Sequence, residues 1–312
     1  MADAVHTRIV GQNETVEGLL IALLTGGHLL LEGLPGLAKT LLVRSLADAL
    51  HTTFRRIQFT PDLLPGDIIG TPVYHQGTGE FRVYKGPIFA NIVLADEVNR
   101  APPKVQSALL EAMEEQQVTI DGTPYPLPSP FLVLATQNPI EQQGTYPLAE
   151  AQLDRFLMKL RIGYPDRAEE REIIRRVALP TRGGERAPIE SPTSAEEIVA
   201  ARSELDGVHV SERVQAYIVD LVFATREPAS AGIPELESLV EFGISPRATI
   251  FLTRAARAHA YLQGRDFVLP DDVKAMAYPV LRHRLRTTYE ADARDIDSDT
   301  IIAMLLGRVR AP

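Results

Sequence analysis

Residues 33–40 read GLPGLAKT, and the sequence on either side of this octet restricts the fold more than any other stretch of the chain. HLLLE at residues 28–32 is an apolar run of strand length, and LLVRSLADAL at residues 41–50 carries apolar residues at helical spacing. A buried strand that turns through glycines straight into a helix belongs to a βαβ unit, for which TFRRIQF at residues 53–59 supplies the next strand. Ahead of it, residues 13–25 have helical periodicity and end on Gly26 and Gly27, which suit the left-handed exit of a helix.

Three more apolar runs follow: NIVLAD at 91–96, FLVLAT at 131–136 and FLMKLRI at 156–162. Continuous apolar strands suit a parallel sheet covered on both faces, and the helical stretch 105–116 joins two of them. Residues 61–87 are too long for a plain connection and read as an inserted element. Residues 117–130 read as a β-hairpin turning at Asp121-Gly122. Beyond residue 165 the pattern is helical, apart from a loop at 180–194. Ser194 and Glu197 form a capping box, and Ser245-Pro246 opens a helix running to about Leu262. The expected architecture is α/β, with a parallel-sheet subdomain over residues 1–165 and an all-helical subdomain over 166–312.

The 312 residues, 45 % of them apolar, suffice for a main domain and a smaller partner. The absence of cysteine excludes disulfides and thiolate metal sites and fits a cytoplasmic location. A net charge of −9 argues against general nucleic-acid binding, which depends on Lys and Arg neutralising phosphates. The most apolar window, 19–31, is broken by glycines and shorter than the roughly 20 residues that cross a bilayer, so no membrane insertion is expected.

Between a strand and a helix, GLPGLAKT has the context of a phosphate loop, in which backbone N–H groups and the positive helix end face anionic oxygens. Leu34, Pro35, Gly36, Leu37, Ala38, Lys39, Thr40 and Leu41 would surround the phosphates. Lys39 would neutralise them, and the Thr40 hydroxyl would face Mg²⁺. Ala38 stands where the usual pattern has glycine, and a Gly-rich turn with a stray lysine is the plainer alternative. Asp96 and Glu97 end an apolar strand, at the sheet edge where ligands bind in open α/β folds. There Asp96 would hold Mg²⁺, and Glu97 would orient or deprotonate a water. Asn138 follows the 131–136 strand. It would reach the same site if that strand lies between the other two, and otherwise Asn138-Pro139 is a turn. Arg155 either pairs with Asp154 or acts as an arginine finger in trans, and Arg247 is either a surface residue or a phosphate ligand.

In this order the motifs GLPGLAKT, LADEVNRAPPKVQSALLEAMEE from Leu94, ATQNP from Ala135, YPLAEAQLDRF from Tyr146 and SPR from Ser245 resemble the AAA+ ATPases. Within them they resemble the MoxR family, in the group that includes magnesium-chelatase ATPase subunits, from about Val10 to Arg286. The resemblance implies a P-loop domain whose five parallel strands run in the order 5-1-4-3-2, followed by a helical lid. It also implies Walker A at Lys39 and Thr40, Walker B at Asp96 and Glu97, sensor 1 at Asn138, the arginine finger at Arg155 and sensor 2 at Arg247. Val10, Gly11 and Gln12 would line the adenine, 61–87 would be the helix-2 insert, and 117–130 the pre-sensor hairpin. ATP with Mg²⁺, a homo-oligomeric and commonly hexameric ring, and a partner bearing a von Willebrand A domain complete what the resemblance implies. A remodelling chaperone is the first reading; a nucleotide-gated scaffold with little turnover and a nucleic-acid motor or loader are the others.

Overall fold

The computed structural model describes residues 1–34, 36–137, 144–178 and 193–312. In chain order, α1 (Ala2–His6) and α2 (Asn13–Thr25) precede β1 (Leu29–Gly33), α3 (Lys39–Ala49) and β2 (Phe54–Gln58). Next come α4 (Pro65–Ile69), β3 (Gly70–His75), β4 (Glu80–Lys85), β5 (Ile92–Asp96), α5 (Pro103–Glu115), β6 (Gln117–Ile120), β7 (Thr123–Pro126) and β8 (Leu132–Gln137). After α6 (Glu150–Leu153), β9 (Met158–Ile162) and α7 (Arg167–Ile173), the remaining helices are α8 (Ala195–Leu205), α9 (Glu212–Phe223), α10 (Pro246–Leu262), α11 (Pro270–Leu281), α12 (Tyr289–Ala293) and α13 (Ser298–Arg308).

The five-stranded sheet has the order β2-β5-β8-β1-β9, which is 5-1-4-3-2 when the core strands are counted along the chain. The pairs β1 with β8, β5 with β8 and β2 with β5 are all parallel. Residues 92–95 of β5 and 132–136 of β8 are buried throughout, as continuous apolar strands between two helical layers must be. β2 keeps one sheet edge and exposes Arg55 and Arg56, charges that discourage pairing with another chain. A Cβ at Gly18 would stand 2.7 Å from Leu160 Cδ1, so the bare glycine lets α2 close on β9. Residues 61–87 fold as α4 and the antiparallel hairpin β3–β4. β6 and β7 form a second hairpin, whose turn has φ of 50° at Asp121 and 75° at Gly122, both positive as a two-residue I′ turn requires.

The chain packs as two compact units, residues 1–148 with 160–199, and residues 149–159 with 200–312. This differs from a division at 165/166, and side-chain bonds give the reason. Arg176 donates to the carbonyls of His6 and Thr7 at 2.9 and 3.3 Å, holding the segment after α7 to the first unit. Asp154 accepts from Arg284 Nε at 2.8 Å, holding the 149–159 segment to the second. The second unit is helical, with a short antiparallel ribbon of β10 (Val240–Phe242) and β11 (Arg286–Thr287). In α10, Ala248, Ala255, Ala256, Ala258 and Ala260 are buried, and their small side chains permit close packing on α9 and α11. Among the described residues no helix is long and apolar enough to cross a membrane.

Asp272, in the first turn of α11 and 1 % exposed, accepts from Arg265 Nη1 at 2.7 Å, His259 Nδ1 at 2.6 Å and the Leu269 amide at 2.7 Å. Burial pushes its pKa up, but these donors prevail and hold it below the ordinary 3.8. A depressed carboxylate stabilises the fold fully above its unfolded pKa, and that contribution disappears as pH falls through the lower folded value. Asp272→Ala should therefore destabilise the second unit by about 3 kcal/mol at pH 7, with the deficit shrinking below about pH 4, as urea titrations of both proteins at the two pH values will show.

Candidate functional site

β1 ends at Gly33 and α3 starts at Lys39, so the loop between them faces the helix N-terminus. Ala38, the N-cap residue, has φ 54° and ψ 23°, the left-handed conformation that glycine adopts freely and alanine at a cost of about 1 kcal/mol. At this position the backbone is the one that the usual glycine would permit, despite the methyl group. Gly36 has φ +86° with no atom within 4 Å of a Cβ position, leaving its surface open. Lys39 Nζ donates to the Gly33 carbonyl at 2.6 Å. Burial lowers the Lys39 pKa, and the negative charges of Asp96 and Glu97 oppose the drop.

These two carboxylates belong to the same opening, which is lined by Gly36, Leu37, Ala38, Lys39, Thr40, Leu41, Arg56, Asp96 and Glu97. β8 lies between β1 and β5, so the condition on which the reading of Asn138 depends is met. At the end of β8, the Thr136 hydroxyl donates to Asp96 Oδ1 at 2.6 Å and accepts from the Glu97 amide at 2.8 Å. Glu97 has φ 56°, a left-handed backbone in a non-glycine residue, and the Thr136 bond holds it there. Its Oε2 accepts from Gln58 Nε2 at 2.8 Å and Arg100 Nη1 at 3.0 Å. Arg56 donates to Asp96 Oδ2 through Nε at 2.9 Å and Nη2 at 2.6 Å, and to Gln58 Oε1 at 2.6 Å.

Arg56, Gln58, Arg100 and Thr136 were not among the residues singled out from sequence. The signal for two of them lies in the register. Gln58 of β2 stands opposite Asp96 of β5, and Arg56, two residues back, shares its face. The expected order 5-1-4-3-2 already makes β2 and β5 neighbours; the missing step was their register, which sets Gln58 against Asp96.

The remaining expected residues divide into three groups. Val10, Gly11 and Gln12 lead into α2, with φ of 66° at Gly11 and 55° at Gln12. A Cβ on Gly11 would collide with the Glu169 carboxylate at 1.9 Å, so this segment packs against α7. Pro35 and Asn138 lie outside the described residues. Arg155 and Arg247 both belong to the second unit. Asp154, the local partner first considered for Arg155, accepts from Ser245 Oγ and Arg284 Nε, each at 2.8 Å, and has Arg247 Nη1 at 4.0 Å. Ser245 occupies the N-cap position of α10, yet its side chain makes no cap bond and is turned to Asp154 instead.

Among the described residues no group of three or more Asp, Glu or His side chains converges as a metal site. A divalent cation would thus need ligands from a bound phosphate as well as protein, which is how Mg²⁺ is usually held. Thr40 and Asp96 line one opening and suit that arrangement. Three of about four acceptor positions on Asp96 are already taken by Thr136 and Arg56, leaving room for one ligand or a bridging water.

Residues 28–158 match the profile of the ATPase family associated with various cellular activities, and residues 236–304 match that of the AAA lid domain. The chain is 50 % identical over 310 residues to "Chaperone MoxR1" of Mycobacterium tuberculosis, covering 97 % of this chain and 79 % of that one. It is 35 % identical to "Protein MoxR" of Paracoccus denitrificans, covering 90 % and 86 %, and 29 % identical over 204 residues to a magnesium-chelatase subunit ChlI homolog of Methanocaldococcus jannaschii. A crystal structure from Cytophaga hutchinsonii superposes with a TM-score of 0.93 at 51 % identity, over 99 % of this chain and 93 % of that one.

Because the Ala38 backbone is left-handed, Ala38→Gly should relieve strain and raise stability by up to about 1 kcal/mol, read as a higher thermal midpoint. A lower midpoint would mean that the methyl makes contacts worth more than the strain.

Proposed function

Since the chain belongs to the MoxR family of AAA+ ATPases, relatives of the magnesium-chelatase ATPase subunits, we propose that it hydrolyses ATP to ADP and phosphate with Mg²⁺ to remodel or mature a partner protein complex. The observation that carries the catalytic part is the convergence of Lys39, Thr40, Asp96 and Glu97 on one opening at the carboxyl ends of β1 and β5. On this reading Lys39 leaves the Gly33 carbonyl for the phosphates, and the α3 N-terminus adds the partial positive charge of its free amides. Thr40 and Asp96 would hold Mg²⁺, which when bound would supply charge neutralisation to the phosphates. Glu97 accepts the proton of the attacking water, held in place through its own backbone by Thr136 and through Oε2 by Gln58 and Arg100. Both donors sit on Oε2, which leaves Oε1 as the freer acceptor for the water's proton.

Asn138 is assigned to the γ-phosphate and water, Arg155 to a neighbouring subunit's nucleotide, Arg247 to phosphate sensing, and residues 10–12 with 34–41 to the nucleotide. An arginine in trans requires a ring, for which the hexamer common in this family is the proposed form. The chaperone assignment rests on family membership and on the relative named "Chaperone MoxR1". A partner with a von Willebrand A domain, a cytoplasmic location and no role in nucleic-acid binding follow from the same resemblance and from the net charge of −9.

Lys39→Ala should abolish nucleotide binding and hydrolysis together. Glu97→Gln should lower Mg²⁺-dependent turnover about a hundredfold or more while nucleotide still binds, as phosphate release and equilibrium binding assays will show. Turnover at the wild-type rate in Glu97→Gln would remove Glu97 from the base role.

A further inference from the structure

Asp154 lies next to Arg155 in sequence, and Arg247 begins the helix whose N-cap residue, Ser245, bonds Asp154. Behind them stands Arg284, whose side chain is 2 % exposed. All five of its N–H donors are engaged. Nε meets Asp154 Oδ1 at 2.8 Å, and Nη2 meets the carbonyls of Asp154 at 3.0 Å and Phe156 at 2.5 Å. Nη1 faces the carbonyls of Leu157 at 3.3 Å and Val280 and the His283 ring nitrogen at 2.7 Å. One guanidinium thus grips the backbone on both sides of Arg155. It also lies over the Phe251 ring of α10, 5.0 Å from its centre, one helical turn beyond Arg247. Burial draws its pKa down to about 10 while Asp154 resists, so it remains charged at neutral pH.

Taking an arginine out of water to hold a four-residue turn gains little stability that apolar packing would not supply. What the arrangement does supply is geometry: the planar fork fixes direction as well as distance. The Ser245 hydroxyl, withdrawn from its expected capping bond, joins the same carboxylate to the start of α10. We infer that Arg284 and Ser245, acting through Asp154, are positioning residues that hold Arg155 and Arg247 at a fixed mutual orientation as one two-arginine device within the second unit. The inference rests on the roles proposed above for Arg155 and Arg247. Its consequence is that the two arginines reach or leave phosphate together, since neither can turn without breaking bonds that also orient the other. A displacement of about 1 Å at such a site can lower a rate a hundredfold.

Measuring kcat for ATP hydrolysis and the equilibrium affinity for ATP separately in the full-length protein tests this. Ser245→Ala, which buries no charge and removes one bond, should lower kcat about fivefold with ATP affinity within about twofold, and Ser245→Thr, which keeps the hydroxyl, should restore it. Arg284→Lys keeps the charge but loses the fork, and should lower kcat about tenfold or more, again with affinity nearly unchanged. Wild-type kcat in both Ser245→Ala and Arg284→Lys would overturn the proposal, as would losses of affinity as large as those of kcat. Arg155→Ala and Arg247→Ala serve as references. If both turn over at the wild-type rate, the premise about those arginines fails, a result distinct from inert Ser245 and Arg284 variants beside two impaired references. Should Arg284→Lys not fold, the Ser245 pair alone decides.

Discussion

The Thr136 hydroxyl at the end of β8 joins the parts on which the site depends. β8 separates the phosphate-loop strand from the strand that ends in Asp96, and parallel pairing on both sides brings all three carboxyl ends level. Sheet pairing alone would leave Glu97 with a strained backbone and a free amide. One hydroxyl satisfies that amide, holds the left-handed backbone in place and donates to Asp96, while the two acidic side chains diverge, one towards Arg56 and one towards Gln58. On the proposed roles, metal binding and proton transfer fall to adjacent residues without the carboxylates competing for one position.

Much of this was legible in the chain because the decisive signals were local. Apolar runs of strand length located β1, β2, β5, β8 and β9, and the glycines at 33 and 36 with Lys39 located the loop. The strand order came from resemblance to a family, since periodicity fixes which residues face a core and says nothing of which strands are neighbours. Strand order leaves the register open, and that explains the silence of Arg56 and Gln58: on an edge strand they read as solvated polar residues, and only the alignment with β5 gives them partners. Thr136 was hidden for a different reason, because a threonine ending a β-strand is what propensity alone would select.

The helical part shows the limits of local rules more sharply. Ser245 before Pro246 has every attribute of an N-cap, and the helix does begin there, yet the hydroxyl bonds a carboxylate 91 residues earlier in the chain. Likewise, Arg284 reads in sequence as one of several basic residues in LRHRLR, and only tertiary packing buries it while its neighbours Arg282 and Arg286 keep exposed surface. Helical periodicity begins near residue 165, whereas the compact units draw on side-chain contacts made on either side of that point.

The bond from Lys39 to the Gly33 carbonyl has a thermodynamic consequence. Burial disfavours the charge on Lys39, so an ammonium without partners here would be driven towards water. The bond to the carbonyl that ends β1, with the negative charges of Asp96 and Glu97, holds the lysine in the opening before any anion arrives. Binding of an incoming phosphate then proceeds by an exchange of partners at one nitrogen, from a neutral carbonyl to a charged oxygen that forms the stronger bond.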